Sequence, residues 1–304
     1  MRHKLVRSGA AVSLLALALA GCSPISSSDE DSEIPTGEVT AGGTLVVALA
    51  EEPDALDPTT ARTLVGRTVF TSICEKLYDI NDKLEIVPQL AAELPEVSDD
   101  GLTVTIPLRT GVTFADGTDL DADAVKASLD RHRTLDTSAR KSELSSVTEV
   151  SVADPSTVEL TLSEPFAPLT AQLADRAGMI MSPTALEAEG DDFGTNPVCV
   201  GPFKFDNRVA QDHIDVVKDP NYYDADNVYL DKITYKIIAD STTRFNNLKS
   251  GDVQVLDRVA ATDVDALQAD SNLRLLTSDS LGYQGITINL GNINGVGQPG
   301  GPLP

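Results

Sequence analysis

The sequence predicts a mixed α/β fold, and three observations carry that prediction. Short apolar runs suited to buried strands recur along the chain, segments with helical spacing lie between them, and a long middle stretch alternates apolar and polar residues between tight-turn signals. With 304 residues, the chain is long enough for one large domain or two smaller ones, each with its own core. Its 41% hydrophobic and 23% charged content is that of an ordinary globular protein.

The elements follow in order. Arg2, Lys4 and Arg7 make a basic start, and Ala10 to Ala20 is a run of small and apolar residues interrupted only by Ser13. That run is too short to span a bilayer as a mature helix, so residues 1–21 read as a signal peptide. It ends in Leu19-Ala20-Gly21-Cys22, and small residues ahead of a cysteine resemble what a lipoprotein signal peptidase needs. Cys22 is therefore expected to become the lipidated first residue, held at a membrane surface without spanning it. Residues 22–43 are rich in Ser, Asp, Glu and Gly and read as a flexible tether. Thr44 to Leu49 is a short apolar run suited to a buried strand, and Glu52-Pro53-Asp54 with Asp57-Pro58 punctuates the loop after it. Val65 to Tyr78 has helical spacing, with Val69, Ile73 and Leu77 four apart.

From Glu93 the pattern changes to hairpins. Asp100-Gly101 is a tight-turn signal, and after it Leu102, Val104, Ile106 and Leu108 alternate with Thr103, Thr105 and Pro107. Pro107 there suggests an edge strand or a bulge. Val147–Val152 and Thr157–Leu162 repeat the theme around Asp154-Pro155-Ser156. Between the hairpins, Asp121–Arg131 reads as a helix with Val125 and Leu129 inward, and Pro168–Ala177 as another with Pro in its first turn. The second half mixes both kinds. Phe203–Phe205, Ile214–Val217, Ile233–Ile238, Leu273–Leu276 and Ile286–Leu290 look like strands. Ser241 is expected to cap a helix that buries Phe245 and Leu248 and stops at Gly251. Residues 291–304 hold Gly and Pro with little to bury and read as an unstructured tail.

Charge and motifs exclude several function classes. The chain carries a net charge of −24, and removing the leader takes away three bases and no acid, for −27. So acidic a surface repels phosphate backbones, and no nucleic-acid partner is expected. Gly295-Val296-Gly297-Gln298-Pro299-Gly300 fits a dinucleotide fingerprint by letter, but it contains Pro and no helix follows to hold a pyrophosphate. Asp119, Asp121, Asp123 and Asp130 imitate a calcium loop, yet Ala124 stands at its Gly position and the bidentate Glu is absent. Acids in the first turn of a helix explain that run better, since they complement its dipole. No metal and no cofactor is expected. The mature chain has two histidines, His132 and His213, with no nucleophile elbow and no His-Glu-x-x-His, so no catalytic residue is assigned and the protein is not expected to be an enzyme. Cys74 and Cys199 remain once Cys22 is lipidated, and two cysteines in an oxidising compartment are candidates for one disulfide.

The long segments are more specific. Ala92-Glu93-Leu94 through Val97-Ser98-Asp99-Asp100-Gly101-Leu102 to Pro107-Leu108-Arg109, then Gly111-Val112-Thr113-Phe114-Ala115-Asp116-Gly117 and Ala122 to Arg131, closely resembles the signature of family 5 extracellular solute-binding proteins. These are the oligopeptide- and dipeptide-binding subunits of ABC importers and their relatives. Leu56-Asp57-Pro58, Asn196-Pro197 to Gly201-Pro202-Phe203, Asp219-Pro220-Asn221-Tyr222-Tyr223, Leu230 to Ile233 and Leu248 to Val253 agree in order, so the resemblance covers about residues 44–290.

The resemblance implies a type II periplasmic-binding-protein-like fold. Its first lobe has an α/β core (44–80 and 196–290) carrying an inserted hairpin-rich subdomain (81–195). Family members continue into a second lobe that closes over the ligand, and that lobe is expected to be missing here. The implied function is capture of peptides or similar small solutes for ABC permease subunits, by a lipoprotein on the outer face of the cytoplasmic membrane. A truncated, non-transporting lipoprotein used as an interaction surface, or an inactive gene fragment, stands as the alternative. Ligand contacts are expected from Arg62, Thr63 and Leu64, and from Tyr283 and Gln284 near the hinge; Arg62 also reads as a plain surface charge and Tyr283 as a packing residue. Where the family usually has Gly-Thr before Gly-Pro, this chain has Cys199-Val200, and many relatives lack a cysteine at the place of Cys74. That both departures are cysteines favours their pairing.

Overall fold

A computed structural model of the protein describes residues 39–277. All the elements below belong to the compact unit that begins at Thr40. In chain order they are β1 (Thr44–Leu49), α1 (Leu64–Ile73), β2 (Tyr78–Ile80), β3 (Ile86–Pro88), β4 (Glu96–Val97), β5 (Thr103–Pro107), α2 (Ala122–Thr134), β6 (Val147–Asp154) and β7 (Thr157–Leu162). Then come α3 (Leu169–Gln172), α4 (Pro183–Glu189), β8 (Phe203–Val209), β9 (His213–Lys218), β10 (Lys232–Ile237), α5 (Ser241–Ser250), β11 (Val255–Leu256) and α6 (Val264–Gln268).

Two larger sheets organise these elements. The first has the order β11-β1-β10-β9-β8, with β1 parallel to both β10 and β11 and the remaining pairs antiparallel. Val47 and Leu49 of β1 face α1, whose Val65, Val69, Phe70 and Ile73 complete one apolar cluster with Ile233, Tyr235, Ile214 and Val216. The second sheet has the order β4-β5-β7-β6 and is antiparallel throughout. It packs Val104, Ile106, Val158 and Leu160 against Val125 and Leu129 of α2 in a second cluster. Each sheet thus covers one apolar face with a helix, which is how a two-layer core removes that face from water. The mixed α/β fold expected from the sequence is therefore present.

Several elements differ from expectation, each for a physical reason. The helix from Val65 was expected to run to Tyr78, but α1 stops at Ile73 because Cys74 is extended (φ −131°, ψ 108°) and Glu75 N–H donates to Val200 O at 2.7 Å. Pro107 lies in β5, which is an interior strand and not an edge; β4 reaches only Thr105, so the proline stands beyond the ladder that would need its missing N–H. Pro168–Ala177 breaks into the short α3 and a 3-10 turn at Arg176–Gly178. The cap of α5 is Asp240, whose carboxylate accepts from Thr243 N at 2.7 Å, while Ser241 is the first helical residue. Leu273–Leu276 forms no strand. Cys22 and the expected strand Ile286–Leu290 lie outside the described residues.

Candidate functional site

The loop between β1 and α1 leaves the carboxyl end of β1, where β10 and β11 also end because the three strands are parallel. In open α/β sheets that is the side on which ligands bind. The loop is unusually well fixed. Asp54 accepts Arg62 N–H at 2.9 Å, Thr63 N–H at 3.2 Å and the Thr63 hydroxyl at 2.8 Å, tying the start of the loop to its exit. Burial works against the Asp54 carboxylate, but these donors outweigh it and hold its pKa below the ordinary value. Three residues on, Asp57 is buried and pairs in a two-pronged contact with Arg131 of α2, Nη1 to Oδ1 at 2.9 Å and Nη2 to Oδ2 at 2.7 Å.

His132 supports the next step of the loop. Its Nε2 is 3.0 Å from Met179 O, which can only accept, so this nitrogen carries the hydrogen. Nδ1, 3.0 Å from Thr59 Oγ1, then accepts from that hydroxyl, and Thr59 Oγ1 accepts in turn from Arg131 Nη1 at 2.5 Å. Complete burial, only partly opposed by the Met179 carbonyl and by Asp57, pushes the imidazole pKa down to about 4 and keeps it neutral. Further along, Ala61 O accepts from Arg140 Nη2 at 2.9 Å and from Arg176 Nη1 at 3.1 Å, and Arg176 Nη1 also reaches Thr63 O at 3.1 Å. The Ala61 and Thr63 carbonyls therefore point inward at buried guanidinium groups, and Arg62 and Leu64 are left on the outside, Leu64 being 56% exposed. A cleft of about 220 Å³ adjoins the same loop, lined by Leu56, Asp57, Thr60, Asp191, Asp192 and Arg208.

Of the expected ligand residues, Arg62, Thr63 and Leu64 thus lie together at the exit of this loop, and Tyr283 and Gln284 lie outside the described residues. The supporting groups Asp54, Arg131, His132, Arg140 and Arg176 were not singled out as site residues. Asp57-Pro58 marked the loop, but nothing in the sequence connects it to an arginine 74 positions away.

The Cys74 and Cys199 sulfurs are joined in a disulfide, with Cα atoms 4.9 Å apart and 125 positions between them. The bridge fastens the two passages of chain that run between the sheets. Close packing there requires Gly201, where a Cβ would come within 2.6 Å of the Ile73 backbone. Beside it Glu75 is buried and accepts from Tyr222 Oη at 2.5 Å and from Tyr223 Oη at 3.0 Å. Burial raises the Glu75 pKa in spite of these donors. No group of three or more His, Cys, Asp or Glu side chains that could hold a metal occurs among the described residues, and no helix among them is long and apolar enough to cross a membrane.

Comparison with known proteins gives this geometry a context. The profile of the bacterial extracellular solute-binding proteins, family 5 middle, matches residues 85–299. The glutathione-binding protein GsiB of Salmonella paratyphi A is 35% identical over 260 residues, which is 85% of this chain and 51% of GsiB. Among solved structures, the periplasmic binding protein AgaA of A. tumefaciens R10, in complex with agropinic acid, superimposes with a TM-score of 0.68 at 36% identity, covering 75% of this chain and 46% of AgaA. DppA of Helicobacter pylori, in complex with the peptide STSA, gives a TM-score of 0.69 at 26% identity, covering 77% and 50%. The chain spans about half the length of the curated relatives it matches. Those relatives are solute-binding proteins and not enzymes.

Proposed function

The chain belongs to the family 5 bacterial extracellular solute-binding proteins, and from that we propose that it captures peptides or similar small solutes outside the cell for the permease of an ABC importer. The observation that carries the reading is the Asp54–Leu64 loop. It stands at the carboxyl end of parallel strands, its Ala61 and Thr63 carbonyls are held by Arg140 and Arg176 and its Asp57 carboxylate by Arg131, and it presents Arg62 and Leu64 outward while Thr63 is tied back to Asp54. A wall held this firmly loses little conformational freedom when a ligand arrives. Capture is then a population shift of a two-walled cleft, driven by contacts to both sides, with no bond made or broken. In this reading the present span supplies one wall, and the sequence equivalent to the other half of the relatives supplies the second. Each of the two larger sheets draws all its strands from one span, which supports taking 44–80 and 196–290 as the core and 81–195 as an insertion. Lipid on Cys22 keeps the protein at the outer face of the membrane, so Cys22→Ala is expected to release it from the membrane fraction; unchanged retention refutes the anchor.

Calorimetric titration against a peptide set that includes glutathione tests the binding role. One wall alone is expected to bind at about 1 mM, and a chimera completed with the carboxyl-terminal half of GsiB at about 1 μM, a difference of roughly 4 kcal/mol. Arg62→Ala and Leu64→Ala should weaken the chimera. Absence of binding by a folded chimera, or indifference to both substitutions, overturns the assignment of this loop.

A further inference from the structure

The insertion has a second surface whose chemistry the solute-binding role does not use. From Leu84 to Leu108 and from Ser142 to Asp175 the chain contains no Lys or Arg, so the sheet β4-β5-β7-β6 is built entirely without basic residues. Its two edges differ. At the β6 edge, Lys126 and Arg133 of α2 donate to the carbonyls of Val150 and Val147 at 2.7 and 2.9 Å, and such cations are a common guard of an edge strand. Among the described residues, Glu96 and Val97 pair with β5 alone. Ser98 N–H donates to Thr103 O at 2.9 Å, and in an antiparallel ladder the residue before such a pair turns its own N–H and C=O away from the partner strand. The backbone N–H and C=O of Val97 therefore face the open edge.

Apolar surface lies at the same place. Val97 is 58% exposed and Leu94 53%. A cavity of about 360 Å³ opens beside them, lined by Val97, Val104, Leu162, Phe166 and Leu169. Exposed acids surround it: Glu93, Glu96, Asp99, Asp100 and Glu164. We propose that the β4 edge and this cavity form a docking surface for an extended, basic segment of a partner protein, which adds to β4 as a further strand and places a large apolar side chain in the cavity. The open Val97 amide and carbonyl supply backbone pairing, the cavity selects the side chain, and the acid rim selects the sign of charge on either side of it. A second copy of this chain would bring acids against acids, and an anionic membrane surface would be repelled for the same reason.

The test uses residues 22–304 and a fluorescent peptide that alternates Lys with Val, Phe and Val, read by anisotropy beside a control with Glu for each Lys. Binding of the basic peptide, at least tenfold weaker in Val97→Pro and in Glu96→Lys/Glu164→Lys, is expected, together with weakening by salt and no binding of the acidic control. The charge-reversal variant keeps the test valid if the proline variant does not fold. Equal binding of the acidic control overturns the proposal. So does undiminished binding in both variants, which would mark a small-molecule cavity only, and so does Val97-dependent self-association in sedimentation, which would mark an interface between copies. Failure of the basic peptide to bind overturns it outright, and none of these results bears on solute capture by the Asp54–Leu64 loop.

Discussion

His132 sits on α2 with both ring nitrogens engaged and no exposure to solvent, which makes it a support and not a base. Its titration has a definite sign. Above the unfolded value near 6.5 both states are neutral and the residue costs nothing. As pH falls below that value the unfolded chain takes up a proton that the folded protein refuses until about pH 4. Stability is therefore lost across that window, by roughly 3 kcal/mol if His132 acted alone. Glu75 opposes it: its raised pKa means that the folded state takes up a proton before the unfolded chain does, so acid adds stability there. The difference between the parent and His132→Gln separates the two, because Gln can still donate to Met179 O and does not titrate. Urea midpoints at about pH 7 and pH 5 are expected to fall more in the parent than in the variant. Equal falls would mean that the imidazole is not held neutral.

Helix ends give the test at the next level. Ser and Asp are both good caps, and the sequence pointed to Ser241, one position beyond the residue that caps the helix. The backbone settles it: Asp240 is extended (φ −75°, ψ 122°), so its carboxylate can turn back on Thr243 N–H, while Ser241 already has helical geometry. Asp240→Ala is expected to cost about 1 kcal/mol, and Ser241→Ala under about 0.5 kcal/mol, both measured by urea denaturation. The reverse order would place the cap at Ser241. The other end of α5 needed no structure to find, since Gly251 adopts the left-handed conformation (φ 82°) that ends helices and that glycine alone adopts freely.

Across the molecule, the strongest single constraint is the bridge between Cys74 and Cys199. Closing a loop of 125 positions removes about 4–5 kcal/mol of freedom from the unfolded chain in the entropic account. It acts where the chain passes between the sheets, so its loss should be felt by both cores. Thiol titration of denatured, unreduced protein exported by its own host is expected to find no free cysteine, and reduction should lower the urea midpoint by a corresponding amount. Two free thiols, or an unchanged midpoint on reduction, would exclude a stabilising bridge.

Much of this architecture is legible along the chain because it rests on local physics. Alternation of Val104 and Ile106 with threonines, the turn at Gly101, and the four-residue spacing of Val69 and Ile73 act within a few positions, and each corresponds to an element in the structure, although Leu77, which continues that spacing, lies beyond the helix. The family resemblance is written in the same local segments. The lattice under the candidate loop is not. Asp57 meets Arg131 across 74 positions, and Ala61 O meets Arg140 and Arg176 across 79 and 115. Read singly, each of these arginines is one more charged residue on a polar stretch, with nothing to separate it from a solvated one. Nor could the pattern reveal that β10, 188 positions on, lies directly beside β1 and brings the strand ends together under that loop. Burial of a charge is a property of what surrounds it in space, so only the folded arrangement of the two sheets could turn these scattered residues into one support.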